Sequence, residues 1–573
     1  MKIIIKHTFV TLMLLSFVAC STFEPLDENL AGDERLNFDP AFAEGLLLNA
    51  YEGMSNQLLF NDSATDDAVT NYLSGFRRMA TGEWNANYAV SSRWGQYQYV
   101  LYINKFLTVI DQVEWKFDDE TNDLIKQRMY GEALAMRALR HFWILQEHAG
   151  VGTSGKLLGV PYITEFLDKD ADFNIPRPEF AETFEKINND FNEALEYIPM
   201  DWDGDISKQP ARYSTSDVNR YEFIFGETQD GRINGRIIKA FQAKLNLLAA
   251  SPAFLDGSGD YYQKTSTILA ELLNDNGGVS GLNPTGHYDF YDFNIGTKVF
   301  PEVLWRENVA NTFTWVEQQH FPPSLNGEGR LNPTQNLVDA FPMINGEPFS
   351  KNHPDYNPAN PFQNRDPRLR RYILYNGNDL DSRIVRTGVG GGADEIDKVQ
   401  FRSTRSGYYL KKLLDPSVTI SANGNISASE KMNVYLRYTD LYLMFAEAAN
   451  ELGGPDNMVN GISARAVIGA IRQRAGLDAA DTYLAGITSK EAMRTLIRNE
   501  RRLELCFEGH RLFDLRRWNM LDDLTDIIGS KYNGSQYEEF VVEPRLYPDN
   551  ANYAPIPQSE LVKFDAIEQN IGW

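Results

Sequence analysis

The stretch IRNERRLELCFEGHRLFDLRRW, Ile497 to Trp518, is dense in charge yet patterned like a buried pair of helices. At about 100° per residue, Leu496, Leu503 and Phe507 share one apolar stripe, and Glu500 falls inside it. A carboxylate persists there only when paired or hydrogen-bonded, so Glu500 requires a cation. The nearest supply is Arg501, Arg502, Arg511, Arg516 or Arg517. No nucleophile or metal-ligand grouping accompanies them, so the stretch predicts a charge network that fixes helix packing.

Moving outward, the same helical period recurs. Leu134, Ala138, Phe142 and Leu145 share a stripe, as do Ile237, Phe241 and Leu248, and again Leu441, Phe445, Ala448 and Leu452. Alanines beside the large residues let helices approach closely in antiparallel pairs, although no clean 34-residue repeat is visible. Gly453, Gly454 and Pro455 predict a helix end at Leu452, and Ser251 and Pro252 predict one at Ala250. From about Val279 to Lys431 the texture changes to Gly, Pro and Asn punctuation between short apolar runs, which predicts loops and short hairpins inserted between helical parts. Within it, Gly388 to Asp394 (GVGGGAD) opens no convincing helix and precedes no GK[ST], so it predicts a mobile surface loop instead of a phosphate cradle.

Other pieces fall in order along the chain: GEALAMRALRHFWILQEHAG from Gly131, GVPYIT from Gly159, RLNPTQNLVDAF from Arg330, NRDPRL from Asn364, YLRYTDLYLMFAEAANELGG from Tyr435, IRQRAGL from Ile471 and YAPIPQSEL from Tyr553. Together with Ile497 to Trp518 they resemble the SusD/RagB family, the surface glycan-binding lipoproteins of Bacteroidetes-type bacteria. The resemblance implies a mainly α, SusD-like fold of degenerate tetratricopeptide-type helix pairs with an irregular mixed α/β insertion. It also implies a non-catalytic protein that captures oligo- or polysaccharide and delivers it to a SusC-like TonB-dependent outer-membrane transporter.

The N-terminus agrees. Lys2 and Lys6 precede an apolar run, Phe9 to Ala19, too short for the roughly 20 residues that span a bilayer. It ends in LLSFVAC, which looks like a bacterial lipoprotein signal with cleavage before Cys20 and lipidation of Cys20. The expected organisation is a signal peptide over 1–19, a lipidated tether over 20–37, an N-terminal helical scaffold carrying part of the ligand site over 38–278, the mixed insertion over 279–431 and a C-terminal helical region over 432–573. The protein would face outward, held to the outer membrane by acyl chains alone.

Removing residues 1–19 takes away two lysines and no acids, leaving 53 basic against 79 acidic side chains, a net charge of −26. Such a surface repels nucleic acid and anionic headgroups. The cysteines are Cys20 and Cys506, so a lipidated Cys20 leaves no intramolecular disulfide. With 43% hydrophobic residues the chain can bury a large core.

Motifs for catalysis are missing: there is no HExxH, GxSxG or CxxC, and the sequence calls for no cofactor or metal. Asp201, Asp203 and Asp205 lack the glycine and bidentate glutamate of a calcium loop, and read as a solvated turn. Adjacent Asp66 and Asp67 seldom meet the separation of about 5 to 10 Å that glycoside hydrolysis needs. His141 lies beside the Leu134 stripe as a satisfied helix histidine.

Aromatic residues make up 12% of the chain, several in polar, loop-like sequence. Sugar rings present apolar C–H faces beside hydroxyls, so their sites combine aromatic platforms with amides and charged groups. Two stretches fit, Asn61 to Tyr88 and Glu307 to Phe321, and the family resemblance places glycan-binding loops in these regions. Trp84 and Trp315 are the expected platforms, with Tyr72, Arg77, Asn85 and Gln318 around them; Trp94 and Trp518 are assigned to the core. Two alternatives remain: a surface glycoside hydrolase, and a helical-repeat adaptor without a saccharide ligand.

Overall fold

The helix periods set the architecture. A computed structural model describes residues 37–54, 57–255, 260–284, 301–307, 314–430 and 432–573, without the side chains of 57–60. The expected signal peptide, Cys20, most of the tether and residues 308–313 of the second aromatic stretch lie outside the described residues.

Helices α1 (Pro40–Leu48), α2 (Tyr97–Val109), α3 (Asp119–His148), α4 (Phe180–Leu195), α5 (Gly235–Ala250), α6 (Tyr261–Asp275) and α7 (Tyr438–Gly453) each pack on the next. Against α7 pack α8 (Ala464–Ala475) and α9 (Lys490–Glu504), and α10 (Arg511–Arg517) follows. This succession of packed neighbouring helices is the close approach that the small-beside-large pattern predicts. The longest helix, α3, starts where Asp118 accepts from the Thr121 N–H, with Asp119 and Glu120 favourably placed in its first turn. Its stripe of Leu134, Ala138, Phe142 and Leu145 is buried. Helix α5 ends at Ala250, as predicted; α7 runs one residue beyond Leu452, to Gly453, and Leu452 is exposed.

The insertion has its own apolar cluster, built from residues such as Phe321, Leu337, Tyr372 and Tyr409, and closed by Ala68 from the N-terminal part and Phe507 from the C-terminal part. Antiparallel pairs stitch it in place. Strand β1 (Ala68–Thr70) pairs with β3 (Leu331–Pro333), and β2 (Val303–Arg306) pairs with β4 (Val434–Arg437). Near the C-terminus β5 (Ile527–Tyr532) and β6 (Tyr537–Glu543) form a hairpin. The Gly388–Asp394 loop is anchored at both ends and exposed or half-buried between them. Gly388 N–H donates to Asn376 at 3.1 Å, and buried Asp394 accepts from the Ser324 N–H at 2.8 Å.

Glu500 is fully buried and paired, but not by its sequence neighbours. Arg368 reaches Oε2 at 2.9 Å and Arg472 reaches Oε1 at 2.7 Å. The neighbouring arginines bind carboxylates on other elements: Arg501 takes Asp440 and Asp514, Arg502 and Arg511 take Asp66, Arg516 takes Glu147, and Arg517 takes Glu447. The pair Asp66 and Asp67 is thereby a clamp between the N-terminal part and α9. The Asp201 cluster is likewise neutralised, Asp201 by Arg236 at 2.7 Å and the other two by Lys208. His141 donates from Nδ1 to the Arg137 carbonyl at 2.8 Å and accepts the Ile163 N–H at Nε2, 3.0 Å away.

Candidate functional site

The six residues expected to touch glycan do not converge. Trp84 is only 5% exposed. The backbone turns at Gly82 (φ 96°), and Leu546 N–H donates to the Ala80 carbonyl, so the indole faces inward against Leu512, Leu515 and Ala554. It meets Trp573 edge-on at 4.8 Å and Tyr547 at 6.1 Å. Its ring is therefore a core element and presents no platform. Trp518 is buried as assigned, whereas Trp94 is half-buried, edge-on to Tyr97 and His148.

Arg77 is held by Glu543 at 2.8 Å. Exposed Asn85 spends its carboxamide on its own turn, accepting from the Asn87 and Tyr88 N–H groups. The remaining three are brought near one another by strand-like pairing. Asn71 N–H donates to the Arg330 carbonyl, Arg330 N–H to Gln319, and Glu328 N–H to Gln318. The Arg330 guanidinium lies over half-buried Tyr72, 4.7 Å from the ring centroid. Trp315 and Gln318 lie three residues apart on the short helix Trp315–His320, hence on one face, half-buried and exposed respectively.

Val316 on that same helix faces inward and lines a cavity of about 430 Å³ that the sequence reading missed. The cavity lies among α2, α3, α5, α7 and β4, a set that no single stretch reveals. Its walls include the rings of Tyr99, Trp143 and Tyr435 and the amides of Gln98, Gln146 and Asn433. Tyr435 and Asn433 are oriented by Glu307, which accepts from both at 2.6 Å. The only sequence signal was the interleaving of aromatic residues and glutamines in WGQYQY, Trp94 to Tyr99.

Three carboxylates stand on the cavity wall, and each is held by cations. Burial alone would raise Asp440, but Lys244 at 2.7 Å and Arg501 at 2.7 Å hold it well below the usual carboxylate range. Burial likewise opposes Arg437 and Lys412 at Glu508, which ends at about 2. Asp514 is lowered against burial by Arg501 and Arg517. His510, also on the wall, is pushed down to about 4, chiefly by burial.

A helix-pair scaffold clamped to an irregular insertion defines the SusD-like fold. Two family models match the chain, the SusD family over residues 301–573 and a family described as starch-binding associating with outer membrane over residues 38–215; the chain belongs to the SusD/RagB family. SusD-like protein P25 of Formosa agariphila is 31% identical over 246 residues, 42% of this chain and 38% of that protein. SusD-like protein P38 of the same organism is 36% identical over 101 residues, 17% of this chain and 19% of that one. The chain thus spans well under half the length of these curated relatives. A crystal structure of a SusD-like protein from Bacteroides fragilis superposes with a TM-score of 0.71 at 21% identity, covering 96% of this chain and 100% of that one. A laminarin-binding SusD-like protein gives 0.58 at 21% identity, covering 93% and 100%. Among the described residues no helix is long and apolar enough to cross a membrane.

Proposed function

We propose that this protein captures oligo- or polysaccharide at the cell surface and hands it to a SusC-like TonB-dependent transporter, without cleaving it. The observation that carries this reading is the cavity: aromatic rings, among them Tyr99, Trp143 and Tyr435, stand beside the amides of Gln98, Gln146 and Asn433 around a volume of about 430 Å³, the combination that recognises apolar sugar faces and hydroxyls. Trp315 and Gln318, on the short helix that walls it, are the proposed outer contacts, with Tyr72 beside Arg330 extending the surface. Arg77 and Asn85 have their groups committed to Glu543 and to a local turn, and are at most flanking contacts.

Capture is favoured over hydrolysis by the electrostatics of the wall. A glycosidase needs a carboxylic acid held protonated near neutral pH, and Asp440, Glu508 and Asp514 are all shifted the other way. Membership of a family one of whose models is described as associating with outer membrane supports the location, and lipidation of Cys20 is the proposed anchor. Calorimetry against a polysaccharide panel, with a reducing-sugar assay on the same mixtures, tests the proposal. At least one glycan should bind wild type and bind Trp143→Ala at least tenfold more weakly, with no reducing ends released. Release of reducing sugar, or no binding across the panel, defeats it.

A further inference from the structure

Five cations line the cavity, and four of them have a carboxylate in contact: Lys244 with Asp440 at 2.7 Å, Arg437 with Glu508 at 2.7 Å, Arg501 with Asp514 at 2.7 Å, and Arg517 with Glu447 at 2.7 Å. Arg93 is the exception. Its Nη1 donates to the Gln146 amide oxygen at 3.1 Å, its guanidinium lies 4.6 Å from the Phe513 ring centroid, and no carboxylate of the described residues lies within 4 Å of it. The nearest acid that acts on it, Glu147, is bound instead by Arg516 at 2.9 Å and by Ser91. Two guanidinium groups therefore share one carboxylate, leaving one positive charge in excess. Burial pulls Arg93 down to about 10, and it remains charged at neutral pH. His148 beside it accepts the Arg93 N–H at 3.1 Å through Nε2 and adds no charge.

An unmatched guanidinium on a cavity wall, next to Gln146 and Trp143, is a receptor for a planar or tetrahedral oxyanion, which it can bind through two parallel N–H groups. We infer that Arg93 makes this cavity selective for an acidic sugar residue, one bearing a uronate carboxylate or a sulfate ester. The inference rests on the glycan-binding reading above and adds the charge class of the ligand. The chain's net charge of −24 does not oppose it, because charges beyond about 8 to 10 Å are screened at physiological salt, and the local excess decides what enters.

The test is a panel of acidic oligosaccharides, each paired with its neutral counterpart made by carboxyl reduction or desulfation, measured by calorimetry on the full chain. Wild type should bind at least one acidic member about tenfold or more tightly than its neutral partner. That ratio should shrink as salt is raised and collapse towards one in Arg93→Gln. Gln146→Glu, which places a carboxylate beside Arg93 within the protein, should collapse it too, and serves if Arg93→Gln does not fold. Loss confined to carboxyl-reduced members names a uronate, and loss confined to desulfated members names a sulfate ester. Equal affinity within every pair, binding of neutral members alone, or a preference that survives both variants overturns the inference while leaving glycan capture standing. Absence of binding to every member overturns both.

Discussion

His141 shows how one side chain ties stability to pH. Its Nδ1–H donates to Arg137 and its Nε2 must accept the Ile163 N–H, so only the neutral ring fits; a second proton would set two donors against each other. Burial is the largest cause of its low pKa, about 3, helped by the charge of Arg137. The unfolded ring takes a proton near pH 6.5 and the folded ring does not, so stability is lost as pH falls below about 6.5 and the loss continues to about 3. By pH 4 this one group costs roughly 3 kcal/mol, and His510, held at about 4, adds to it. Urea unfolding from pH 7.5 to 4 should show the decline, with His141→Gln less stable at pH 7.5 but flatter across the range; an unchanged slope in the variant would refute the assignment. Trp84 supplies the second residue-scale expectation. Filling a cluster between Leu515 and Trp573, it should cost about 3 to 5 kcal/mol when cut to alanine, with glycan affinity unaltered. A normal melting temperature with weakened binding would restore the platform reading.

Element packing depends on how closely α3 approaches its neighbours. At Gly131 an added Cβ would fall inside the contact distance of the Tyr197 Cβ and lie 3.1 Å from Ile198 Cγ1, both beyond the end of α4. Alanine favours a helix interior over glycine by about 1 kcal/mol, yet the clash involves a Cβ that cannot swing away, so overpacking outweighs propensity. Gly131→Ala should destabilise by about 1 to 3 kcal/mol in denaturant titration, and a stabilised variant would show that α3 and the Tyr197 segment can separate freely. The helices themselves were legible because a 3.6-residue stripe is local information, as Leu134 to Leu145 shows. The site was not, since its walls come from elements far apart in sequence. Trp84 looked exposed among Gly, Glu and Asn, and the rings that bury it belong to the opposite end of the chain. Glu500 was correctly placed in the core, but its cations stand 132 and 28 residues away, whereas sequence proximity pointed to Arg501 and Arg502.

At the scale of the molecule, five of the eight segments that carry the family resemblance are joined by buried ion pairs, every one of which involves Ile497–Trp518. Glu500 and Glu504 of the Ile497–Trp518 region bind Arg368 of NRDPRL and the arginines of IRQRAGL; Arg501 and Arg517 bind Asp440 and Glu447 of the Tyr435 segment; Arg516 binds Glu147 of the Gly131 segment. Paired buried charges of this kind are costly to break singly, so they set the register between distant helices more than they add net stability. All of these contacts join residues between Glu147 and Arg517. Folding should therefore be indifferent to how the chain is anchored, which separates attachment from structure. Cys20→Ala is expected to leave the melting temperature within about 1 °C of wild type, as for a surface change, and to move the protein from the membrane to the soluble fraction, since acyl chains supply about 0.8 kcal/mol per buried CH₂ and no described helix can span a bilayer. The measurement is fractionation in cells lacking the proposed transporter, so that docking on it cannot hold the variant at the membrane. If it still sediments with outer membranes there, attachment arises from another part of the chain and the lipoprotein reading fails.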